Sequence, residues 1–384
     1  MRYNTKHSGG NAIKIIKNKN YITILLLTLI VCTPVFSRGS GGARCPYMIY
    51  SIAYSRDGAF IASGLDRGGV KIWDITNKKD NFLGGYTGAN SGSYGTIAIV
   101  SFSPDGNYLA SFGRDGIKIW YGRNWEQERV LERPRIHKNM SSRAAVHWDM
   151  GNRQIMCIGD GFMVRWNIDT GKIVGIADGE QFGMYFGPIL AINPNGTQFA
   201  RSNMLGKNYD ILLWNIGENR QEGILTGYDS IKTMEYSPDG NYILTNETIG
   251  KIVSGNLKIL GGIIRLWDIR SLLEVYNIEI EIDGDSIYSA NFSPNGNFFV
   301  AHLRDRLILF DTATGKEVSV YNNPPINGRT FTNVVFSPDG NYMAIGIDHD
   351  LRIWNISTGE YMDILASERE DVCHHELYKN LGEG

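Results

Sequence analysis

Apolar and charged residues alternate along many short stretches of the chain. In "GIKIW" (residues 116–120) and "LRIWNI" (residues 351–356), isoleucine or leucine alternates with lysine or arginine before a tryptophan. A period of two is typical of a half-buried β-strand. Long stretches with the helical period are few, so the pattern predicts an all-β protein.

Two recurring turns separate these strands. The first reads Ser-Pro-Asp-Gly, as at residues 103–106. In it, proline restricts φ, aspartate hydrogen-bonds nearby backbone, and glycine adopts positive φ. The second turn, such as "NISTGE" at residues 355–360, precedes a weaker strand, "EYMDIL". Each copy of this unit therefore predicts four antiparallel strands in about 45 residues.

The unit occurs seven times, and each copy closes on an aromatic residue 43 to 53 residues after the previous one. One four-stranded blade cannot cover both of its own apolar faces, whereas a closed ring of blades covers all of them. The predicted fold is a seven-bladed β-propeller of four-stranded antiparallel blades. The closing aromatic residues are Trp73, Trp120, Trp166, Trp214, Trp267, Phe310 and Trp354.

The repeats resemble those of the WD-repeat (WD40) β-propeller family. The resemblance rests on the Ser-Pro-Asp-Gly turns, the period and the Trp-Asp or Trp-Asn pair that closes five of the repeats. The family's Gly-His pair is absent, so its buried Asp-His-Ser-Trp network is expected to be incomplete; the candidate aspartates are Asp115, Asp160 and Asp305. The alternative is an extracytoplasmic propeller of another sequence type, such as one whose repeats end in Tyr-Asp.

The fifth unit is longer than the others. It has 32 residues from Tyr236 to Trp267, against 19 in the compact copy from Phe102 to Trp120. The added segment, "NETIGKIVSGNLKILGG" (residues 246–262), is predicted to protrude from the fifth blade as a long loop or small hairpin.

The first residues differ from the repeats. Lysines precede the apolar run "YITILLLTLIVCTPVF" (residues 21–36), which is short for a membrane span. Residues 1–37 are therefore interpreted as a signal peptide or N-terminal anchor, with lipid attachment at Cys32 as an alternative. Residues 38–44 are a flexible linker, residues 45–366 the propeller, and residues 367–384 a short helical or disordered tail. We expect an exported protein: periplasmic, secreted or membrane-anchored.

The last blade has its own outer strand in "EYMDIL", so the ring is expected to close without an exchanged strand, through side chains alone. Cys45 and Cys373 lie at opposite ends of the propeller and its tail, and both ends reach one rim of a closed ring. An oxidising compartment would allow a disulfide between them. Cys157 lies within the apolar strand "RQIMCIG" and is predicted to be a buried free thiol.

Composition and motifs exclude several function classes. The chain has 384 residues and a formal net charge of −2, which argues against a nucleic-acid binder. Nucleotide-binding glycine loops and the Gly-x-Ser-x-Gly elbow are absent, so we expect no cofactor and no enzyme activity. The segment Cys373-His374-His375-Glu376 lacks a second converging cluster, and "IDGDS" (residues 282–286) lacks calcium-loop spacing, so we expect no metal site.

Function is expected on the face of the ring that carries the uneven loops between blades, together with the turns between second and third strands. Tyrosine, phenylalanine and arginine are enriched at binding hot spots. The alternative is that several of these aromatic residues merely cap blade cores. The predicted partner-binding residues are Arg67, Tyr86, Tyr94, Arg114, Arg135, His137, Phe182, Tyr185, Phe186, Tyr228, Arg304 and Arg329.

The leading hypothesis is a non-catalytic scaffold that binds a protein or peptide on this face. The alternatives are an extracytoplasmic propeller enzyme and a glycan-binding propeller, each with a site at the central channel. We expect a monomer that touches a membrane only through an uncleaved or lipidated N-terminal segment.

Overall fold

The computed structural model describes residues 13–15, 48–65, 68–84, 99–113, 116–122, 124–132, 144–159, 162–178, 190–205, 208–228, 231–253, 256–282, 284–322 and 332–364. These residues form 29 β-strands and no α-helix. Apart from β1 (Ile13–Ile15), the strands form seven consecutive groups of four, each an antiparallel meander. The structure therefore confirms the predicted seven-bladed propeller.

The first four blades run as follows. Blade one contains β2 (Ile49–Tyr54), β3 (Phe60–Leu65), β4 (Val70–Asp74) and β5 (Lys79–Gly84). Blade two contains β6 (Ile99–Phe102), β7 (Tyr108–Gly113), β8 (Gly116–Tyr121) and β9 (Glu126–Glu132). Blade three contains β10 (Ala144–Asp149), β11 (Gln154–Gly159), β12 (Phe162–Asn167) and β13 (Ile173–Asp178). Blade four contains β14 (Leu190–Ile192), β15 (Gln198–Leu205), β16 (Asn208–Asn215) and β17 (Arg220–Tyr228).

The remaining three blades repeat the pattern. Blade five contains β18 (Thr233–Tyr236), β19 (Tyr242–Val253), β20 (Asn256–Asp268) and β21 (Leu273–Glu281). Blade six contains β22 (Ser289–Phe292), β23 (Phe298–His302), β24 (Arg306–Asp311) and β25 (Glu317–Asn322). Blade seven contains β26 (Val335–Phe336), β27 (Tyr342–Ile347), β28 (Asp350–Asn355) and β29 (Tyr361–Ile364). The first strands of most neighbouring blades contact one another, which makes these strands the inner strands of the ring.

The Ser-Pro-Asp-Gly turn explains the tight hairpin at the start of blades two, five and seven. In blade two, the Gly106 amide donates to the Ser103 carbonyl at 2.9 Å, and Gly106 has a φ of 76° that favours glycine. The Ser103 hydroxyl donates to Asp105 Oδ1 at 2.6 Å and accepts from the Tyr108 amide at 2.9 Å. The turn is thus closed by its own side chains, which sets the register of the inner two strands.

Apolar side chains from adjacent blades fill the spaces between them. Between blades one and two, Ile72 and Val70 pack with Leu109 and Trp120 in one buried cluster. Trp73, Trp166 and Trp354 are among the largest fully buried side chains. The blade therefore gains its stability at its faces, where each aliphatic or aromatic side chain contributes roughly 1.5–3 kcal/mol by leaving water.

The hydrogen-bond network expected from the family resemblance survives in part. Trp73 Nε1 donates to Ser63 Oγ at 2.8 Å, and Trp120 Nε1 donates to Ser111 Oγ at 2.9 Å. Asp305 takes no part in such a network, because its side chain is 62% exposed and pairs with Arg306. Asp115 and Asp160 lie outside the described residues. In the other five blades, the strand register puts other residue types at the serine position: Cys157, Arg201, Thr245, Ala301 and Ile345.

The ring closes between blades one and seven at a junction that we call the seam. Blade seven supplies its own outer strand β29, as predicted. Ile49 and Leu65 pack there with Leu351 and Ile364. The Ile49 amide also donates to the Asp348 carbonyl at 2.5 Å. The prediction that the two blades meet through side chains alone is therefore wrong, because β2 begins beside the turn between β27 and β28.

Close approach of backbone explains the glycine at position 346. A Cβ atom there would lie 2.6 Å from Cγ2 of Ile49, so a larger residue would push the two blades apart. The Gly346 amide donates to Thr332 Oγ1 at 2.8 Å, which anchors the connection into blade seven at the same place. The seam thus combines apolar packing with main-chain hydrogen bonding.

The insertion in the fifth repeat forms a hairpin, as predicted. It extends β19 and β20 to 12 and 13 residues, and their pairing continues to Val253 and Asn256. Its distal part, beyond Gly261, has no pairing with β21 among the described residues. Antiparallel alternation of the four strands places the tip on the face that carries the loops between blades.

The chain segments outside the blades are described only in part. Residues 13–15 form β1, which pairs antiparallel with Ile278–Ile280 at the outer edge of blade five. The rest of the predicted leader, the linker at residues 38–44 and the tail at residues 367–384 lie outside the described residues, so their assignments remain predictions. Among the residues that the structure describes, none forms a helix that could cross a bilayer.

The cysteine predictions have different outcomes. Cys157 is not part of a disulfide and has no exposed surface, which confirms the prediction that it is buried. Cys45 and Cys373 both lie outside the described residues, and a disulfide between them remains a prediction.

Truncation at the seam tests whether ring closure stabilises the whole propeller. Ile49 is 1% exposed, so Ile49→Ala is expected to lower the free energy of unfolding by about 2–4 kcal/mol through loss of apolar burial and the cavity left behind. Urea unfolding followed by tryptophan fluorescence measures this change. The matched control is Ile176→Ala on an outer strand, where the side chain is 47% exposed and the expected change is about 0.5 kcal/mol or less. Equal effects of the two substitutions would contradict a stabilising seam.

Candidate protein-binding face

One face of the ring carries the connections between blades and the turns between the second and third strands of each blade; we call it the loop-rich face. The opposite face carries the repetitive Ser-Pro-Asp-Gly and Thr-Gly turns. Among the described residues, the loop-rich face is best defined at blade five and blade six, where residues 284–288 and 303–305 are present. The connection from blade five to blade six is therefore the part of this face whose side chains can be analysed in most detail.

The predicted partner-binding residues fall mostly outside the described part of the chain. Tyr228 ends β17, where its backbone lies opposite Tyr209 of β16. Arg304 lies in the turn between β23 and β24, and its side chain is 68% exposed. The remaining predicted residues lie outside the described ranges: Arg67, Tyr86, Tyr94, Arg114, Arg135, His137, Phe182, Tyr185, Phe186 and Arg329.

Arg304 belongs to a polar cluster with Asp285 and Tyr288. Arg304 Nε lies 3.8 Å from Asp285 Oδ2, and the Tyr288 hydroxyl hydrogen-bonds with both side chains. Burial, and then the nearby Asp285 carboxylate, raise the pKa of Tyr288, so its hydroxyl stays protonated. Beneath it, the ring of the fully buried His302 lies 5.6 Å from the tyrosine ring. Burial lowers the pKa of His302 to about 4, so this histidine is neutral near pH 7.

The segment that carries Asp285 and Tyr288 is held by the hairpin of blade five. The Ile282 amide donates to the Leu260 carbonyl at 2.8 Å, and the Gly284 amide donates to the Ile259 carbonyl at 3.0 Å. Both acceptors lie in β20, within the inserted segment. The insertion therefore supports the connection between blades five and six.

Side chains of blade five fix the rest of this connection. Asn246 Nδ2 donates to the Ile287 carbonyl at 2.9 Å, and Lys232 Nζ lies 2.5 Å from Ser286 Oγ. Gly261 has a φ of 145°, and a Cβ atom there would overlap the Ile280 carbonyl oxygen. The sequence signal for this support was the glycine pair at the end of the insertion, which sequence reasoning interpreted as part of a protruding loop only.

A partly buried glutamate, Glu235, joins the inner strands of the same two blades. Glu235 Oε2 accepts hydrogen bonds from the Phe292 amide at 2.9 Å and from Asn291 Nδ2 at 3.2 Å. Burial raises the pKa of Glu235 to about 7, although these two hydrogen bonds act in the opposite direction. Sequence reasoning missed this residue because a single glutamate in a strand carries no motif.

The described cluster can recognise a partner through charge and hydrogen bonding. It offers an exposed guanidinium whose position is restrained by a carboxylate and a phenol. Among the residues that the structure describes, no three His, Cys, Asp or Glu side chains converge to hold a metal ion. The arrangement suits recognition of a partner surface.

Comparison with known families agrees with this architecture. The family model "WD domain, G-beta repeat" matches residues 39–74 and 86–120. The two matches end at the third strands of blades one and two. These are the two blades in which the closing tryptophan, Trp73 or Trp120, donates a hydrogen bond to a serine. Together with the seven four-stranded blades, these matches show WD40 repeats in the first two units of a seven-bladed propeller.

Several curated proteins are similar to the chain. It is 28% identical over 277 residues to periodic tryptophan protein 2 homolog of Dictyostelium discoideum, covering 66% of this chain and 27% of that protein. It is 23% identical over 237 residues to periodic tryptophan protein 2 of Arabidopsis thaliana, covering 59% and 23%. It is 29% identical over 68 residues to pre-mRNA-processing factor 19 homolog 2 of Arabidopsis thaliana, covering 18% and 12%. The chain thus spans about a quarter or less of these relatives.

The prediction that the protein is exported is wrong. One relative is named as a pre-mRNA-processing factor, and pre-mRNA is processed inside the cell, so the relatives point to an intracellular location. A lysine-rich start followed by an apolar run is the pattern of a secretory leader, but short apolar runs also occur in segments that are not leaders. The argument for an oxidising compartment, on which the Cys45–Cys373 disulfide depended, is lost with this correction.

Removing the Glu235 charge should change how stability depends on pH. The pKa is raised from 4.5 to about 7 in the folded protein, so the unfolded chain loses its proton first. The carboxyl group therefore destabilises the fold progressively as pH rises from about 4.5 to about 7. Glu235→Gln stays neutral at both pH values and still accepts a hydrogen bond. The melting temperature of the variant minus that of wild type is therefore expected to be higher at pH 8 than at pH 5.

Differential scanning fluorimetry at both pH values measures this difference. The exposed Glu317, changed to glutamine, controls for the general effect of removing one carboxylate. A Glu235→Gln difference that is equal at pH 5 and pH 8 would disprove the raised pKa.

Proposed function

We propose that the protein is a non-catalytic scaffold that binds a protein or peptide partner on its loop-rich face. The fold supports protein–protein interaction, since the WD-repeat propeller presents many loops on one rigid ring. The observation that carries the proposal for this chain is the exposed arginine at position 304, held beside Asp285 and Tyr288.

The cluster has the properties of a binding hot spot. Arginine and tyrosine dominate such sites because they combine a large contact area with directional hydrogen bonds. The connection beneath them is fixed by four hydrogen bonds to blade five, so little loop entropy is lost when a partner binds. The inserted hairpin therefore serves the site by making it rigid beforehand.

The partner is proposed to be an intracellular protein. One relative is named for pre-mRNA processing, which takes place within cells. A formal net charge of −2 favours a protein over a nucleic acid as the partner, because nucleic-acid affinity depends on a basic surface. The residues at 182, 185 and 186 are proposed to extend the same surface, as the sequence pattern predicts.

An affinity experiment on paired arginine variants tests this proposal. The whole protein, immobilised, captures partners from an extract of the cells that produce it; a reproducible partner is then purified and its dissociation constant measured. Arg304→Ala is expected to weaken binding at least about fivefold, because loss of one hot-spot side chain exceeds about 1 kcal/mol. Phe182→Ala/Tyr185→Ala/Phe186→Ala is expected to weaken it further.

Arg153→Ala is the matched control. Arg153 is also a surface arginine paired with an aspartate, Asp169, but it lies on the opposite face between β10 and β11. This substitution is expected to leave the dissociation constant unchanged. If Arg304→Ala and the triple variant both bind as tightly as wild type at unchanged melting temperature, the loop-rich face is not the binding surface.

A further inference from the structure

Arg201 occupies an unusual place in blade four. It lies in β15 at the position where blades one and two have Ser63 and Ser111, the acceptors for the tryptophan side chains. Only 5% of its surface is exposed. A small hydroxyl has thus been replaced by the longest cationic side chain at a position inside the ring.

The surroundings of Arg201 are apolar. Its cross-strand neighbours in β14 and β16 are Leu190 and Leu212. The strand register places it on the face of blade four that carries Phe199, which packs against Met156, Ile158 and Met163 of blade three. Two residues further along the strands the same face carries Asn203 and Asp210, but no ion pair joins Asp210 to Arg201 among the described residues.

Among the described residues, Arg201 has no acidic partner. Its Nε is completely buried without a hydrogen bond, and burial alone lowers the pKa of the group. The buried Arg352 differs, because its guanidinium forms two hydrogen bonds to the Asp363 carboxylate, at 2.5 and 2.8 Å. Arg265 likewise contacts two glutamates, Glu247 and Glu274.

The chemistry of arginine makes this arrangement informative. A guanidinium stays charged in proteins, so it cannot escape burial by losing its proton. A buried charge without a partner is strongly unfavourable, whereas a paired one is tolerated. The planar fork of N–H donors matches the oxygen atoms of carboxylates and phosphates in a two-point contact.

We propose that Arg201 is the base of an oxyanion-binding site between blades three and four. The site takes a single carboxylate or phosphate group, because so little of the arginine surface is exposed that only a small group reaches it. It is separate from the cluster at Arg304 and does not depend on a protein partner. The shared chemistry is a compact oxyanion with at least two oxygens available to the guanidinium fork.

Thermal unfolding of the whole protein tests the site with simple salts. Wild type is melted in sodium chloride, sodium acetate and sodium phosphate at pH 7 and equal ionic strength. A site that binds only the folded state raises the melting temperature with the logarithm of anion concentration. We expect a rise of roughly 2–4 °C in phosphate or acetate at about 100 times the dissociation constant. The more effective salt identifies the preferred class of oxyanion.

Two arginine variants give opposite results if the proposal is right. Arg201→Met removes an unpaired buried charge, so in sodium chloride it is expected to melt at or above the wild-type temperature and to show no response to oxyanions. Arg352→Met is the matched control. It leaves Asp363 without its partner, so it is expected to melt lower in sodium chloride while keeping the full oxyanion response.

Three outcomes would overturn the site. Arg201→Met could melt well below wild type in sodium chloride, which would show that the chain itself already pairs the guanidinium. Wild type and Arg201→Met could respond equally to phosphate, which would place anion binding elsewhere. If Arg201→Met does not fold, Arg201→Lys keeps the charge without the fork, and an undiminished response in that variant would equally disprove the two-point contact.

Discussion

The structure depends on one constraint: each blade has two apolar faces, and only another blade can cover them. The clusters of buried side chains lie between neighbouring blades, and the largest fully buried side chains include four of the aromatic residues that close a repeat: Trp73, Trp166, Phe310 and Trp354. No single blade has a core of its own. The ring must therefore close before any blade is fully stabilised, and the packing between blades leaves little tolerance for a polar group.

That constraint makes the exceptions among the interior side chains meaningful. Ser63 and Ser111 each accept a hydrogen bond from a tryptophan without adding charge. Ala301 and Ile345, at the equivalent position in blades six and seven, add only apolar contact. Glu235 and Arg201 add ionisable groups where apolar or neutral ones would be more stable. The glutamate is linked to the next blade by two hydrogen bonds, whereas the arginine lacks such a link among the described residues.

The fold was predictable from the sequence because its determinants are local and repeated. The determinants act within a few residues: the Ser103–Asp105–Tyr108 hydrogen bonds, the positive φ of Gly106 and the alternation in β8. Because the unit is repeated seven times, the pattern stays recognisable even where one copy is irregular. The contacts that build the candidate site are different. The pairing of Ile282 with Leu260 and of Arg304 with Asp285 joins residues about 20 apart in the chain, and no local pattern encodes either contact.

Other sequence inferences failed or stayed open for reasons that are also physical. The expectation of export rested on the lysine-rich apolar start alone, and hydropathy does not establish the compartment in which a protein works. The seam hydrogen bond between Ile49 and Asp348 joins the first blade to the last, so no local sequence pattern encodes it. The burial of Arg201 could not be predicted, because an arginine in a strand is usually solvent-exposed and only the packing of blade three on blade four buries this one.

The seam has a mechanical consequence. The chain crosses six of the seven blade junctions covalently, whereas at the seam the described residues include neither a connecting segment nor an exchanged strand. Tension applied between β2 and β29 therefore falls on the seam contacts first, while each other junction is tethered by its own loop. Under load the ring is therefore expected to open at the seam first and to leave the seven blades stacked in an open, curved array.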